Sequence, residues 1–458
     1  MKQLILIFSL PLFWSCALTT PLARESIKEA PPNIILIMAD DMGYECLKVN
    51  GSESYKTPVL DQLATEGMRF TQCFANPICT PSRVKIMTGL YNIRNYTQFG
   101  VLPRGETTFA HQLKKAGYAT AIAGKWQLGK EFDSPQHFGF DQSCLWQHTR
   151  PRNRAKERRD SRFPNPQLEI NGKPVDYSNG EYGPDVCADF LIDFIKANKD
   201  KPFLAYYPMI LTHCPFDATP DSPNWDPKSL GSKSYKGPGG TAEQHQRFNE
   251  MVTYSDKLVG RIIKTLEETG LRENTLIIFT GDNGTDKPIV TKWKDAKGSR
   301  AVTGGKGKVH DTGTRVPFIA NWPGRIVPGV NESELIEFSD ILPTLCDVSS
   351  SPLPKGYPDD GVSLWPILSG KDQRNKDNIY IYYSRGGNSP GIAWSRTIDY
   401  GVLRDKTGKT KYQHFAGHFE EEDIQLDSVT EQVRSTLMNL EGRIDHLKTQ
   451  KVLRPNKK

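Results

Sequence analysis

Continuous apolar segments alternate with amphipathic segments along most of the chain. The apolar segments, each typical of a parallel strand buried on both faces, are residues 33–39, 118–123, 203–211 and 275–280. The segments with helical spacing are residues 57–67, 107–117 and 243–270. This alternation predicts an α/β fold in which helices sandwich a large, mostly parallel sheet.

The pattern changes near residue 370. Residues 379–383 and 394–397 read as antiparallel strands, whereas residues 421–448 are rich in helical spacing. We therefore predict a main α/β domain at residues 31–370 and a smaller C-terminal α+β subdomain at residues 371–458 with a short antiparallel sheet. A chain of 458 residues is long enough for both.

Acidic and amide side chains follow two of the apolar segments. They are Asp40, Asp41, Asp282 and Asn283. Ligands of an open parallel sheet collect beyond the carboxyl ends of its strands, so we expect these side chains to converge. Oxygen ligands suit a hard divalent cation, Ca²⁺ or, less well, Mg²⁺, better than zinc. Either motif alone could equally be a helix cap or a turn.

The segment at residues 79–83 has the pattern of a turn that enters a helix, with a proline two residues after Cys79 and an arginine four after it. A side chain at that position faces unpaired amides and the positive end of the helix dipole, so Cys79 is placed to meet an anion. The alternative is a buried thiol without a chemical role.

Together these motifs resemble a type I, formylglycine-dependent sulfatase of the arylsulfatase-like kind in the alkaline phosphatase superfamily. The matching segments, in chain order, are Asp40-Asp41, residues 79–89, residues 124–129, Thr212-His213, residues 282–284, residues 305–307 and residues 315–317. The resemblance covers residues 33–365. It implies an enzyme that hydrolyses a sulfate ester, with a sulfated carbohydrate as the expected substrate, and a small four-stranded sheet near the C-terminus.

The resemblance also implies that Cys79 is oxidised to Cα-formylglycine by a formylglycine-generating or radical maturation enzyme that recognises Pro81 and Arg83. The aldehyde hydrates to a diol. One hydroxyl attacks sulfur and displaces the alcohol, and the second expels sulfate. A plain serine or cysteine has no second hydroxyl to release the product.

The resemblance assigns the other site residues as well. The implied ligands of one Ca²⁺ are Asp40, Asp41, Cys79, Asp282 and Asn283. The implied catalytic residues are Cys79, Arg83, Lys125, His213 and Lys306. Arg83, Lys125 and Lys306 surround the sulfate, and His213 is the candidate acid that protonates the leaving alcohol.

One position departs from the family pattern. Gln127 stands where a histidine is usual, and an amide cannot take a proton in the working pH range. His310, four residues after Lys306, is the candidate substitute. The predicted substrate-binding residues are therefore Lys125, Gln127, His213, Lys306 and His310.

Two polar segments flank the predicted site. Residues 150–162 contain seven basic residues and predict either a subsite for a sulfated polysaccharide or a solvated loop. Residues 215–240 are rich in proline, glycine and serine and predict a long loop beside the active site.

The N-terminal residues 1–20 predict a secretory signal, because a lysine precedes an apolar stretch too short to span a membrane. We expect an exported protein, periplasmic or secreted, with a lipid anchor at Cys16 as the second choice. No later segment is apolar enough for a transmembrane span.

Composition adds three expectations. The formal net charge of +6 favours polyanionic substrates only weakly, and because no nucleic-acid-binding motif is present we expect no nucleic-acid partner. Apart from Cys16 and Cys79, six cysteines allow disulfides, but no spacing selects a pairing. There are no zinc-type cysteine pairs, so we predict no structural zinc.

Two alternative functions stay open from the sequence. The same scaffold also carries phosphate or phosphonate monoester hydrolases. The Gln127 departure alone supports a third reading, a non-catalytic glycan-binding homologue.

Overall fold

The computed structural model describes residues 30–154, 159–233, 239–371, 374, 376–387 and 390–450. The predicted signal segment and Cys16 lie outside these residues. From Pro31 onward the chain forms one compact unit, and the predicted domain boundary at residue 370 stays a prediction. Among the described helices, none combines the length and the apolar character that crossing a membrane requires.

The strands of the described residues, in chain order, are β1 (Asn33–Ala39), β2 (Met68–Phe74), β3 (Ala119–Lys125), β4 (Gln142–Trp146), β5 (Gln167–Ile170), β6 (Lys173–Asp176), β7 (Phe203–Pro208), β8 (Thr275–Gly281), β9 (Val290–Asp295), β10 (Gly298–Thr303), β11 (Phe318–Asn321), β12 (Val330–Glu337), β13 (Ile379–Tyr383), β14 (Ile392–Arg396), β15 (Tyr400–Arg404), β16 (Thr410–Gly417) and β17 (Glu420–Ile424). Ten of them form one sheet in the order β12-β2-β11-β8-β1-β7-β3-β4-β5-β6.

The α-helices are α1 (Pro58–Thr65), α2 (Cys79–Thr88), α3 (Asn92–Asn95), α4 (Phe109–Lys115), α5 (Ser134–His137), α6 (Gly183–Ala197), α7 (Ala242–Glu268), α8 (Asp311–Thr314), α9 (Ile341–Val348), α10 (Trp365–Leu368) and α11 (Glu431–Thr449). The predicted long helix at residues 243–270 is α7, which begins at a Thr241 capping box.

Helices cover both faces of the ten-stranded sheet, as predicted. Alternate residues of β1 point to opposite faces, so Ile35 packs with α6 and α7 whereas Ile34 packs with α2, α4 and α9. The centre, from β8 to β4, is parallel. Antiparallel pairings join β11, β5 and β6 to it, so the whole sheet is mixed. Four of the five strands in the parallel centre, β8, β1, β7 and β3, supply polar side chains of the site described below at or beyond their carboxyl ends.

The C-terminal part carries an antiparallel sheet in the order β13-β14-β15-β16-β17. Five strands are present where the resemblance implied four. The helix prediction was wrong at residues 421–424, because they pair with β16 in β17. The helix α11 starts only at Glu431, where the Thr430 side chain accepts a hydrogen bond from the Val433 amide.

A buried ionic cluster joins α8 to this second sheet. Asp311 pairs with Arg315 at 2.7 Å and with Arg396 at 2.6 Å. The carboxylate of Glu421 accepts a hydrogen bond from the Asp311 amide. Burial, with the negative charge of Asp311, raises the pKa of Glu421 to about 7. Its proton is therefore held more tightly in the folded protein than in the unfolded chain.

We expect the free energy of unfolding to fall as pH rises from about 4.5 to about 7, by roughly 1–3 kcal/mol from Glu421 alone. Within that window the folded protein keeps this proton whereas the unfolded chain has released it, so rising pH favours the unfolded chain. Glu421→Gln should flatten that part of the profile. Urea unfolding of both proteins across the window measures the effect, and equal slopes would contradict it.

Candidate active site

The carboxyl ends of β1 and β8 bring two distant acidic segments together. These strands are parallel neighbours, and Ala39 lies opposite Gly281. The next residues, Asp40 and Asp282, are therefore adjacent and fully buried. The Asp41 amide donates to Asp282 Oδ1 at 3.0 Å, which ties the two segments directly.

Asp41 and Asn283 complete the acidic group. Asp41 has a φ of 64°, a left-handed conformation that aspartate tolerates better than most residues, and this turns the chain sharply after Asp40. Asn283 Nδ2 donates to Asp41 Oδ1 at 2.8 Å. Asn283 Oδ1 is buried and accepts no hydrogen bond from the described residues. A buried carbonyl oxygen without a donor is an available ligand for a cation.

Three cationic side chains contact these carboxylates. Lys125, the last residue of β3, donates to both oxygens of Asp40, at 2.8 and 3.0 Å. Arg83 donates to Asp282 Oδ2 at 3.0 Å. Lys306 contacts Asp41 Oδ2. The three predicted sulfate-binding cations therefore share one buried site with the predicted metal ligands.

Cys79 is the first residue of α2, which confirms the predicted turn into a helix. Ile78 before it is extended, and the helix ends at Gly89, whose φ of 66° suits glycine. The Cys79 side chain is buried, and the charges of Lys125, Asp40, Asp282 and Lys306 act on it. Burial raises the pKa of its thiol above the ordinary value, so the unmodified side chain is protonated and a poor nucleophile at neutral pH.

A hydrogen bond joins the Lys306 loop to the Cys79 segment. The Gly307 amide donates to the Pro77 carbonyl at 2.6 Å, two residues before Cys79. The φ of Gly307 is 84°, which favours glycine at this close turn. The loop that carries Lys306 is thereby fixed against the helix entrance.

His213 lies beyond the end of β7 and faces Asp41. Its Nδ1 is 2.6 Å from the Cys214 carbonyl oxygen, so Nδ1 carries the proton and donates. Its Nε2 lies 3.8 Å from Asp41 Oδ2. Burial and the positive charges of Lys306 and Lys125 lower the pKa of His213 well below 6.5, so the ring is neutral in this structure.

The donor atoms fit a divalent cation. Ligand atoms of Asp40, Asp41 and His213 lie within 4.8 Å of one another. Burial, with the neighbouring charge of Asp40, raises the pKa of Asp282 to about 7. Buried carboxylates this close repel one another, and a divalent cation offsets that repulsion. His213 was not among the predicted metal ligands.

The structure also locates Gln127, which stands where the family usually has a histidine, and His310, the candidate substitute. Gln127 follows β3 with a φ of 53°, and its buried Oε1 accepts no hydrogen bond from the described residues. His310 Nδ1 lies 2.9 Å from the Thr312 hydroxyl, and the charges acting on its ring are those of Lys308 and Asp311. The roles of Gln127 and His310 stay predictions.

Sequence analysis missed the residues that hold the two acidic loops together. The Thr285 hydroxyl donates to Glu45 Oε1 at 2.5 Å and accepts from the Gly43 amide at 3.1 Å. These partners are separated by about 240 residues in sequence, and neither belongs to a motif. Nothing in the sequence alone pairs them.

The arginine-rich segment is divided by the structure. Arg162 is fully buried, and Arg152 is about one-third exposed. The solvated-loop alternative is therefore wrong for Arg162. Lys156 and Arg158 lie outside the described residues. The loop at residues 215–240 follows His213, and its residues 234–238 are likewise outside.

Comparison with known families decides the identity of this site. The family model described as "Sulfatase" matches residues 32–351, which include every predicted site residue.

The chain belongs to the sulfatase family.

A second model, "N-sulphoglucosamine sulphohydrolase, C-terminal", matches residues 305–428 of this sulfatase. Among curated relatives, human arylsulfatase A is 31% identical over 403 residues, covering 81% of this chain and 74% of the relative. The dog N-acetylgalactosamine-6-sulfatase is 32% identical, covering 86% of this chain and 78% of the relative. The sulfatase is therefore an enzyme that hydrolyses sulfate esters.

Solved structures support the fold of the sulfatase. Ps i-CgsB in complex with k-i-k-neocarrahexaose has a TM-score of 0.73 at 24% identity, with 92% of this chain and 93% of that chain covered. The phosphonate monoester hydrolase of Agrobacterium radiobacter has a TM-score of 0.66 at 20% identity, with 92% and 96% covered. Sequence identities of this size establish a shared fold. The substrate specificity has to be argued from the active-site residues.

The cysteines of the described residues are free thiols in this structure. They are Cys46, Cys73, Cys79, Cys144, Cys187, Cys214 and Cys346. The predicted absence of structural zinc and the open question of disulfide pairing stay as stated from the sequence.

Proposed function

We propose that this sulfatase removes a sulfate ester from a sulfated carbohydrate, with Cys79 matured to formylglycine and one Ca²⁺ bound by Asp40, Asp41, Asp282 and Asn283. The observation that carries the proposal is the meeting, at one buried point, of Asp40 and Asp282 with Lys125 and Arg83. Cys79 begins the helix beside them. Like-charged groups from distant segments are brought together in this way where they share an ion or a substrate.

The chemistry of Cys79 supports its maturation. A buried thiol with a raised pKa is protonated and a poor nucleophile at neutral pH. The hydrated aldehyde, when formed, supplies one hydroxyl to attack sulfur and a second to release sulfate. The residues of the recognition motif also have folded roles, since Arg83 holds Asp282 and the Pro81 carbonyl accepts from Asn92 at 2.9 Å. A dedicated maturation enzyme would therefore act before this segment folds.

The donor set supports Ca²⁺ over Mg²⁺. Three carboxylates and the buried Asn283 oxygen are hard oxygen ligands on loops, and Ca²⁺ accepts more such ligands in looser geometry than Mg²⁺. A cation bound there supplies charge stabilisation to the sulfate and acidity to a hydroxyl group. Cys79, as the matured side chain, is the fifth proposed ligand.

Lys125 and Lys306 have the position and charge to hold the sulfate oxygens. Both ammonium groups contact the acidic group, and both act electrostatically on Cys79. Positive charge fixed at this point stabilises the negative charge that develops during sulfuryl transfer. Because Lys125 also neutralises Asp40, it links the sulfate position to the metal ligands. Arg83 supports this arrangement through its hydrogen bond to Asp282.

His213 is the proposed acid for the leaving alcohol. The Cys214 carbonyl fixes the Nδ1 proton, so Nε2 is the nitrogen that takes and gives a proton. In the substrate-free site the ring is neutral. A bound sulfate brings negative charge that offsets Lys125 and Lys306, and it therefore raises the pKa of His213 toward the range in which a proton can be donated.

The names of similar proteins support a carbohydrate substrate. One curated relative is named N-acetylgalactosamine-6-sulfatase, and two solved structures hold k-i-k-neocarrahexaose and D-glucosamine-2-N,6-O-disulfate. We also propose export, with the N-terminal residues as the signal and a lipid anchor at Cys16 as the second choice.

We expect the matured protein to hydrolyse para-nitrophenyl sulfate with a kcat/KM at least about 100-fold above that for para-nitrophenyl phosphate, because the family model and the curated relatives that match this chain are sulfatases. Side-by-side kinetics with added Ca²⁺ measure this ratio. A ratio below one would favour the phosphate or phosphonate hydrolase alternative. No turnover of either ester by protein with a confirmed aldehyde would favour the glycan-binding alternative.

A further inference from the structure

Two arginines converge on the peptide carbonyl that also holds His213. Arg152 Nη2 donates to the Cys214 oxygen at 2.8 Å, and Arg162 Nη2 donates to it at 3.1 Å. His213 Nδ1 is the third donor, at 2.6 Å. One carbonyl oxygen therefore fixes both guanidinium groups next to the proposed catalytic histidine.

Among the residues that the structure describes, the two guanidinium groups share one close carboxylate, that of Asp160. Arg162 pairs with Asp160 through two hydrogen bonds, at 2.7 and 2.8 Å. Arg152 reaches the same carboxylate only at 3.4 Å. Asp217, the next acidic side chain in this cluster, is hydrogen-bonded to Ser232. Arg152 is thus left with positive charge that its neighbours only partly compensate.

The two arginines differ in burial: Arg162 is enclosed by the protein, whereas Arg152 is accessible to solvent. The side chain of Arg162 is 0% exposed and lies over the Trp146 ring, 4.0 Å from its centroid. Its Nη1 is buried and donates to no acceptor in the described residues. Arg152 is 33% exposed. A buried Nη1 group without an acceptor on Arg162, next to the solvent-accessible guanidinium of Arg152, is the arrangement expected of an anion-binding site.

Arg152 and Arg162 lie beside the proposed catalytic residue His213. Both guanidinium groups donate to the Cys214 carbonyl oxygen, which also accepts a hydrogen bond from His213 Nδ1. The pair therefore lies on the His213 side of the sulfate position. The leaving alcohol is protonated on that side, so the sugar that carries the ester extends toward Arg152.

We propose that Arg152, supported by Arg162, forms a subsite for a second anionic group of the substrate, a carboxylate or another sulfate, on the sugar that leaves or on its neighbour. The inference rests on the proposed function, because it places the sugar by the role of His213. A purely structural role explains the bonds to Cys214. It does not explain two arginines on one carboxylate, with one of them open to solvent.

Inhibition of para-nitrophenyl sulfate hydrolysis tests the subsite. The probes are a sulfated disaccharide with a uronate carboxylate and the same disaccharide with that carboxylate reduced to an alcohol. We expect the carboxylate to lower Ki at least about tenfold in the wild type, since a bidentate arginine–carboxylate contact is charge-assisted. Arg152→Gln should abolish most of this difference, and Arg152→Lys should retain part of it.

Arg150→Gln is the matched control. Arg150 lies two residues away but pairs with Asp176 at 2.5 Å, so this variant should keep the wild-type Ki ratio. A wild-type ratio near one, or an unchanged ratio in a folded Arg152→Gln protein, would overturn the subsite. Wild-type protein that fails to hydrolyse the aryl sulfate would instead overturn the proposed function.

Discussion

Replacement of Cys79 by alanine is expected to lower kcat/KM for para-nitrophenyl sulfate by at least about 10⁴-fold, or about 5 kcal/mol of transition-state stabilisation. Alanine has no atom that can be oxidised to the aldehyde, and water would have to attack sulfur instead. The Cys79 side chain is small and already buried among polar groups, so folding should change little. Steady-state kinetics with a thermal melt on the same preparation measure both effects.

Cys346→Ala is the control for this variant. Cys346 is also a buried free cysteine, in α9 on the α2 face of the sheet. Its loss should lower stability by about 1 kcal/mol and leave kcat/KM near the wild-type value. Activity retained by Cys79→Ala would exclude Cys79 as the nucleophile and return it to the buried-thiol alternative.

Asp282→Asn is expected to lower kcat/KM at least about 10³-fold and to remove the stabilisation that added Ca²⁺ gives the wild type. The change preserves size but removes the charge that receives Arg83 at 3.0 Å, and it takes one carboxylate from the proposed metal ligands. Melting temperatures with and without Ca²⁺, together with metal analysis of the purified protein, measure the loss of binding.

Asp256→Asn is the control that separates a loss of Ca²⁺ binding from a general loss of stability. Asp256 is a buried aspartate that accepts from the Val59 and Leu60 amides at the start of α1, remote in role from the acidic site. It should lower stability by about 1 kcal/mol while the Ca²⁺-dependent rise in melting temperature persists. Equal Ca²⁺ responses in wild type and Asp282→Asn would remove Asp282 from the ligand set.

The sheet and its acidic edge could be predicted because their signals are local. The segments 33–39 and 275–280 are apolar without interruption, which marks buried parallel strands, and polar residues follow each of them. The rule that ligands collect at strand carboxyl ends then predicts that Asp40 and Asp282 lie together. The register of β1 against β8 confirms the contact.

The antiparallel edge strands of the large sheet and the last strand, β17, were not predicted from the sequence, and the reason is physical. The sequence of β17, Glu420–Ile424, is mostly acidic, so its composition resembles an exposed helix more than a strand. Only its pairing with β16 makes it extended. Pairing between strands depends on the neighbouring strand, which local periodicity does not encode.

The support around the site was hidden because it depends on contacts between remote residues. Thr285 binds Glu45 and Gly43 across about 240 residues. The basic run was visible, but its division into a buried Arg162 and an accessible Arg152 depends on Asp160 and Trp146. Charge patterning gives the number of arginines in a segment and not which of them faces solvent.

The most direct test of the central claim is specific activity measured against the fraction of Cys79 that carries the aldehyde. Protein produced with and without a maturation enzyme provides a series of fractions, and mass spectrometry of the peptide containing Cys79 determines each one. We predict that aryl sulfate hydrolysis in the presence of Ca²⁺ rises in proportion to the aldehyde and extrapolates to zero without it. Full activity in protein whose Cys79 is entirely a thiol would contradict the account.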